Sequence, residues 1–112
     1  LSTQEIRAPR VLIRTGSFTN PNKWNPDFCC LSEELVHFLA DNHVLLVGID
    51  TPSVDSFESK ELKAHKAIHS HNMAVLEGIV LEDVAEGQYT LSALPLKIKN
   101  GDASPVRAVL IL

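Results

Sequence analysis

The sequence predicts an α/β fold in which a sheet is flanked by helices. Val44–Ile49 is a continuous apolar run, as expected of a strand covered on both faces. A helical pattern precedes this run, and a second one follows it over Lys60–His69. Helices on either side of a buried strand along the chain are typical of layered α/β domains.

The elements before the central strand are a strand, a loop and a helix. Arg10–Arg14 is rich in aliphatic residues and predicts a short buried strand, and the Gly-, Asn- and Pro-rich stretch Thr15–Pro26 predicts a loop. Ser32 is the expected N-cap of a helix that ends near Asn42.

Three further strands are predicted after the second helix. Ala74–Leu81 is apolar apart from one glutamate, which favours a strand across the whole stretch. Tyr89–Lys97 and Val106–Leu112 predict two more strands, and Asn100-Gly101-Asp102 is a turn signal between them.

Length and charge narrow the class of protein. The 112 residues are expected to form a single domain, 1–112, and the net charge of −4 gives no basic footprint for nucleic acid or an anionic membrane. Cys29 and Cys30 are adjacent, which rarely suits a disulfide, and two free thiols predict the cytoplasm. The first residue is Leu1, so we expect a piece of a longer protein, with a processed or tagged product as the alternative.

His65 is the first candidate for metal chemistry. It shares a helical stripe with Leu62 and Ile68, so its side chain is expected to point inward. For a lone histidine, a hydrogen-bonded core residue is the more common explanation. His71 is interpreted as the end of this helix, and His37 and His43 as structural residues.

Glu77 strengthens the metal hypothesis for His65. Aliphatic residues surround it in Ala74–Val80, and an unpaired buried carboxylate costs several kcal/mol. The sequence near it contains no Lys or Arg, although one could approach in space. A divalent ion shared with His65 would satisfy both groups, and zinc or manganese suits this donor pair, but two ligands do not complete a site.

Other polar residues leave alternatives open. Asp50 and Asp55 lie on the loop after the central strand, where they could bind metal or substrate, and Asx-type turns are the favoured interpretation for Asp55. Ser53 is a weak nucleophile candidate because no GxSxG setting surrounds it. Trp24 could line a pocket for an aromatic substrate or pack over the core.

Several stretches together resemble bacterial kynurenine formamidases of the cyclase family. The GIDTPSVD sequence, with the His and Glu that follow it, is the most specific part. The matching stretches are Arg10–Pro21, Val47–Asp55, Lys60–His65, Leu76–Leu81, Leu94–Leu96 and Ala103–Ala108.

The resemblance implies a mixed-sheet, swivelling β/β/α cyclase-like domain of which this chain is the C-terminal half. It implies hydrolysis of N-formyl-L-kynurenine to kynurenine and formate in tryptophan degradation, a two-zinc site in each subunit and a homodimer. A His and a Glu twelve residues apart are metal ligands in that family, and His65 and Glu77 match the spacing. The family's HxGTHxDxPxH motif, with the remaining ligands and the catalytic histidine, is absent from these residues.

This departure keeps other functions open. The catalytic histidine is expected in a missing N-terminal half, so this chain alone is expected to be inactive and to associate with that half. One alternative is a binding or assembly module that kept the fold without the chemistry. Another is a cyclase-family hydrolase of a different amide or of a cyclic imide.

Overall fold

A parallel three-stranded sheet forms the centre of the protein. The computed structural model describes residues 5–112, so Leu1, on which the expectation of a longer chain rests, lies outside the described residues. The strands are β1 (Arg10–Ile13), β2 (Leu46–Ile49) and β3 (Ala74–Leu76), in the order β1-β2-β3. Both pairings are parallel, so the carboxyl ends of all three strands meet at one edge.

Two helices provide the connections between these strands. The first, α1 (Glu33–Asp41), joins β1 to β2, and the second, α2 (Lys63–Ser70), joins β2 to β3. Ser32 caps α1 as predicted, because its side chain accepts a hydrogen bond from the backbone N–H of Leu35, and Asn42 ends the helix. The second helix begins three residues later than predicted, because Leu62 takes a left-handed conformation with φ of 51°.

The core lies between the helices and β2. Val47 and Ile49 point to the same side of β2, since side chains two residues apart on a strand share a face, and both are fully buried. They belong to one buried cluster with residues of both helices, namely Val36, Leu39, Ala64, Ala67 and Ile68. The predicted central strand is therefore confirmed for Leu46–Ile49, where Leu46 is partly buried and the other three residues are buried, whereas Leu45 is exposed.

The strand predicted over Ala74–Leu81 is wrong beyond Leu76. Gly78 has a φ of 70°, a conformation that glycine adopts without steric cost and that ends the extended segment. The chain then turns towards the end of β2, where the N–H of Gly78 donates to the carbonyl of Thr51 at 2.8 Å. Glu77 consequently lies just past the end of β3 and not inside a strand.

A separate pair of antiparallel strands follows, β4 (Thr90–Ser92) and β5 (Val109–Ile111). Both predicted strands exist but are shorter than expected, and the turn at Asn100 lies within the long segment between them. The α/β class with flanking helices is confirmed, with parallel and antiparallel pairings in two sheets.

The state of the two cysteines and the length of the helices relate to the predicted location of the protein in the cell. Cys29 and Cys30 are exposed, and neither forms a disulfide within residues 5–112. The cytoplasmic location inferred from them stays a prediction. Over the same residues, neither helix has the length and apolar character needed to cross a bilayer.

Candidate functional site

The loops that leave the three parallel strands are joined to one another at the carboxyl edge of the sheet. Asp50, directly after β2, accepts hydrogen bonds from the backbone N–H groups of Thr15 and Gly16 after β1, and from the Thr15 hydroxyl at 2.8 Å. Glu77, after β3, accepts from the backbone N–H of Val54 in the loop after β2, at 2.8 Å. Ligand sites in open α/β sheets gather at this edge.

Asp55 fixes the start of α2 and the orientation of its first histidine. One carboxylate oxygen accepts from the backbone N–H of Ala64 and the other from that of His65, both at 2.9 Å. The second oxygen also lies 2.7 Å from Nδ1 of the His65 ring. Asp55 thus caps a helix nine residues further along the chain, and the Asx-type turn predicted for it is wrong.

The structure brings His65 and Glu77 together, as the sequence predicted. Nε2 of His65 lies 3.1 Å from Oε2 of Glu77. The two side chains are 34% and 26% exposed, so Glu77 is half-buried and not sealed in the core as its apolar neighbours suggested. Asp55 and Glu77 therefore lie on the two nitrogens of one imidazole ring, and the N–H of Val54 holds the Glu77 carboxylate.

The contact between His65 and Glu77 requires a proton or a cation between the two side chains. A neutral His65 that donates from Nδ1 to Asp55 presents a lone pair at Nε2, since a neutral imidazole carries one proton. Oε2 of Glu77 is also an acceptor, and it already accepts from Val54. Two acceptors 3.1 Å apart repel each other unless a proton or a metal ion supplies the charge between them.

The donor set fits part of a metal site. Two ligand atoms bound at about 2.0–2.2 Å to one ion lie roughly 3.0–3.5 Å apart at angles from square to tetrahedral, and the observed 3.1 Å falls in this range. A metal-binding histidine almost always donates its second ring N–H to a carboxylate or carbonyl, which Asp55 provides. Within residues 5–112, however, no three His, Cys, Asp or Glu side chains are arranged to hold an ion.

Hydrogen bonds to the Asp55 carboxylate lower its pKa. Burial acts to raise the pKa of its carboxyl, but the backbone N–H groups of His65 and Ala64 and the His65 ring together outweigh burial. The net effect is a pKa below the usual aspartate value, so Asp55 is ionised at neutral pH. A permanent carboxylate is what holds the His65 proton on Nδ1.

An aromatic cluster lies at the same edge of the sheet. Trp24 contacts Phe18, Phe28 and Phe57 edge-on, with ring centroids 5.3–6.2 Å apart, and remains 56% exposed. Trp24 and Phe18 also line a cavity of about 470 Å³ together with Arg14, Asp50 and Ile79. Trp24 thus packs against buried Phe28 and also lines a cavity, and a role in binding an aromatic substrate stays a prediction. His65 and Glu77 do not line this cavity.

The remaining candidates have structural partners. The hydroxyl of Ser53 accepts from the backbone N–H of Asp55 at 3.1 Å, and the structure places no histidine base against it among the hydrogen bonds of residues 5–112. His71 ends α2, as predicted. The contribution of Asp55 was missed because its partners are nine and ten residues away, although an acidic residue in the loop before a helix could have suggested a cap.

The chain is similar to one protein family and to solved structures described as metal-dependent hydrolases. The family model described as "Putative cyclase" matches residues 2–56, a segment that ends before His65 and Glu77. One similar solved structure is a "potential metal-dependent hydrolase with cyclase activity", with 33% identity and a TM-score of 0.72 over 78% of this chain and 43% of that chain. Another is a "predicted metal-dependent hydrolase" from Bacillus stearothermophilus, with 33% identity and a TM-score of 0.70 over 78% of this chain and 42% of that chain.

The family model matches the first half of the chain, whereas the two solved structures match 78% of it. The chain spans less than half of the length of both solved proteins, while most of its own length aligns with them. The α/β architecture is shared over that aligned part. The family model and the two solved structures together support assignment of this chain to the cyclase family.

Proposed function

We propose that this chain is the C-terminal half of a metal-dependent amide hydrolase resembling kynurenine formamidase, with His65 and Glu77 as metal ligands. The observation that carries the proposal is the line of contacts from Asp55 through His65 to Glu77, with acceptors facing each other at 3.1 Å. A cation between Nε2 and Oε2 removes that repulsion. The similarity to two metal-dependent hydrolases supports the same conclusion.

Each residue of the cluster has a separate part in this proposal. His65 offers the Nε2 lone pair to the ion, and Asp55 is a positioning residue that keeps the proton on Nδ1. The N–H of Val54 orients the Glu77 carboxylate towards His65. Since Asp55 also accepts from the first turn of α2, the ring and the helix backbone are held by one carboxylate.

Zinc is the ion we propose, with manganese as the alternative, because imidazole and carboxylate donors suit both. When bound, such ions act as Lewis acids towards a carbonyl and lower the pKa of water to about 7. Zinc requires three or four ligands, so further donors must come from outside residues 5–112. A second half of the domain that supplies them and the catalytic histidine is part of the proposal.

The proposed substrate is N-formyl-L-kynurenine, which would yield L-kynurenine and formate. The aromatic residues Trp24 and Phe18 beside the cavity are compatible with an aryl substrate, although they carry no information about the formyl group. The substrate rests on the sequence resemblance around Val47–Asp55.

The test uses the natural gene product that contains these residues. The first observation is whether its reading frame extends upstream of Leu1 and encodes the His-rich motif. Formamidase activity and bound zinc are then measured for the wild type, His65→Ala, Glu77→Ala and the control His69→Ala, which alters an exposed residue of the same helix. We expect loss of activity and a fall from two zinc ions per subunit towards one in the first two variants only. Full zinc and full turnover in both would show that the pair is structural.

A non-catalytic binding or assembly module is the second candidate. It is favoured by the absence of a three-residue metal group within residues 5–112. It predicts that the complete gene product hydrolyses no amide with zinc or manganese present.

A third possibility keeps the enzyme class but changes the substrate to another amide or a cyclic imide, in line with the "cyclase activity" of one similar protein. A panel of linear amides and cyclic imides separates these substrates.

Association is part of the same proposal, with the N-terminal half and as a homodimer. It is supported by large apolar side chains that are exposed in the second half of the chain: Val80, Leu94, Leu96, Ile98, Ile111 and Leu112. Exposed apolar surface of this kind recruits partners. Light scattering should give a mass above that of the monomer, and a dilute monomer that unfolds cooperatively would contradict the expectation.

A further inference from the structure

A second histidine pair lies outside the cluster at the strand ends. His37 is on α1 and His71 ends α2, and Nδ1 of His37 lies 2.7 Å from Nε2 of His71. The rings meet edge-on with centroids 5.0 Å apart. Both side chains are exposed, so each nitrogen could bond to water instead of to the other ring.

Glu33 favours one proton arrangement of this pair. Its Oε1 lies 3.5 Å from Nε2 of His37, one helical turn further along α1. With the proton of His37 on Nε2, towards the carboxylate, Nδ1 presents a lone pair to His71. This is the arrangement in which a carboxylate orients a metal-binding histidine.

The surroundings of the pair favour a cation. His71 stands at the C-terminal end of α2, where the helix dipole is negative, and the last turn contains no Lys or Arg. Glu33 adds a carboxylate on the other side. Two nitrogens bound to one ion at about 2.0–2.1 Å lie roughly 2.8–3.4 Å apart, so the exposed rings need to separate only slightly from 2.7 Å.

We propose that His37 and His71 form a surface site for a late first-row divalent ion, separate from the site of His65 and Glu77. His37 binds through Nδ1, His71 binds through Nε2, and water completes the coordination. Two protein ligands make this an exchangeable site and not a structural zinc centre with a closed ligand set. Copper binds more tightly than zinc, in accord with the general order of divalent ions at nitrogen sites.

The binding test is a calorimetric titration with ZnCl₂ and CuCl₂, supported by electron paramagnetic resonance of the copper form. The pair variants are His37→Ala and His71→Ala, and the matched controls are His43→Ala and His69→Ala, which remove exposed histidines from the same region. We expect each pair variant to lose one equivalent of bound metal and, with it, the copper signal of a site with two nitrogen ligands. Glu33→Gln should weaken binding by about tenfold while keeping the stoichiometry.

Two results would overturn the site. One is unchanged metal binding in both pair variants, and the other is an equal loss in the two control variants.

A second measurement uses thermal unfolding, since an ion that links α1 to the end of α2 binds only the folded state. Zinc should raise the midpoint of the wild type and of His65→Ala, less that of His37→Ala, and not that of the double variant His37→Ala/His65→Ala. A rise lost only in His65→Ala would assign the binding to the other cluster instead.

Discussion

One carboxylate oxygen of Asp55, Oδ2, contacts His65 twice. It accepts from the backbone N–H of His65 at 2.9 Å and lies 2.7 Å from Nδ1 of its ring. The same carboxylate accepts from the N–H of Ala64. The start of α2 and the direction of the His65 ring are therefore set by a single residue. A change at Asp55 should affect stability and metal binding together.

Asp55→Asn should lower the free energy of unfolding by about 1–3 kcal/mol, because hydrogen bonds to a charged group are replaced by neutral ones and one acceptor is lost. It should also weaken zinc binding at His65 by about tenfold or more, since the ring loses its orienting carboxylate. Urea unfolding and zinc titration check the two effects. The control is Asp27→Asn in an exposed loop, and equal stability of the two variants would contradict the role given to Asp55.

The stabilisation by Asp55 should depend on pH in the direction of a depressed pKa. Its hydrogen bonds hold the folded-state pKa below the usual value, so its contribution is fully present above the unfolded-state pKa of about 3.9. The contribution is lost as the pH falls through the folded-state value. The difference in unfolding free energy between wild type and Asp55→Asn should therefore shrink from pH 7 to pH 3 or below. A difference that stays constant in urea titrations over this range would argue against the shift.

The periodic parts of the fold could be predicted from the sequence, whereas the ends of several elements could not. Ser32, Asn42 and the apolar run ending at Ile49 gave correct boundaries because the signals are local. The start of α2 was placed too early, since its cap comes from Asp55, nine residues before Ala64. Such a cap leaves no pattern at the helix start itself.

The sequence predicted that His65 and Glu77 lie close together, but not where β3 ends or which groups hold Glu77 in place. The proximity of His65 and Glu77 followed from helical spacing and from a carboxylate without a local cation, and their role as metal ligands stays a prediction. The end of β3 was missed because the positive φ of Gly78 depends on hydrogen bonds to the end of β2. The donor from Val54 to Glu77 has the same long-range origin.

Asp50→Asn should destabilise the fold by about 2 kcal/mol, because a buried carboxylate receives two backbone N–H groups and the Thr15 hydroxyl. An asparagine turns an N–H₂ group towards at least one of these donors. Thr15→Val leaves both backbone N–H donors in place and removes the hydroxyl contacts to Asp50 and to Ser17, so it should cost less, about 1 kcal/mol. Urea unfolding of the two variants measures the order, and a larger loss for Thr15→Val would show that Asp50 does not join β1 to β2 as described.

Glu77→Gln tests whether a cation is needed between Nε2 of His65 and Oε2 of Glu77. Both contacts of Glu77 involve Oε2, so a glutamine needs a small rotation of its amide to keep its oxygen on the N–H of Val54 while its N–H₂ group donates to Nε2 of His65. At pH 8 with a chelator, where an imidazole in water is neutral, this exchange replaces two facing acceptors by a hydrogen bond.

The metal-free Glu77→Gln variant should therefore be at least as stable as the wild type, by up to about 1 kcal/mol. With zinc added, the order should reverse, because glutamine is a much poorer ligand than a carboxylate and the wild type gains more stability from the ion than the variant does. Thermal unfolding with chelator and with zinc measures both orders, and Glu82→Gln, at an exposed position, is the control. A Glu77→Gln variant that is less stable without metal and equally stabilised by zinc would show that Glu77 is a structural partner of His65 and not a ligand.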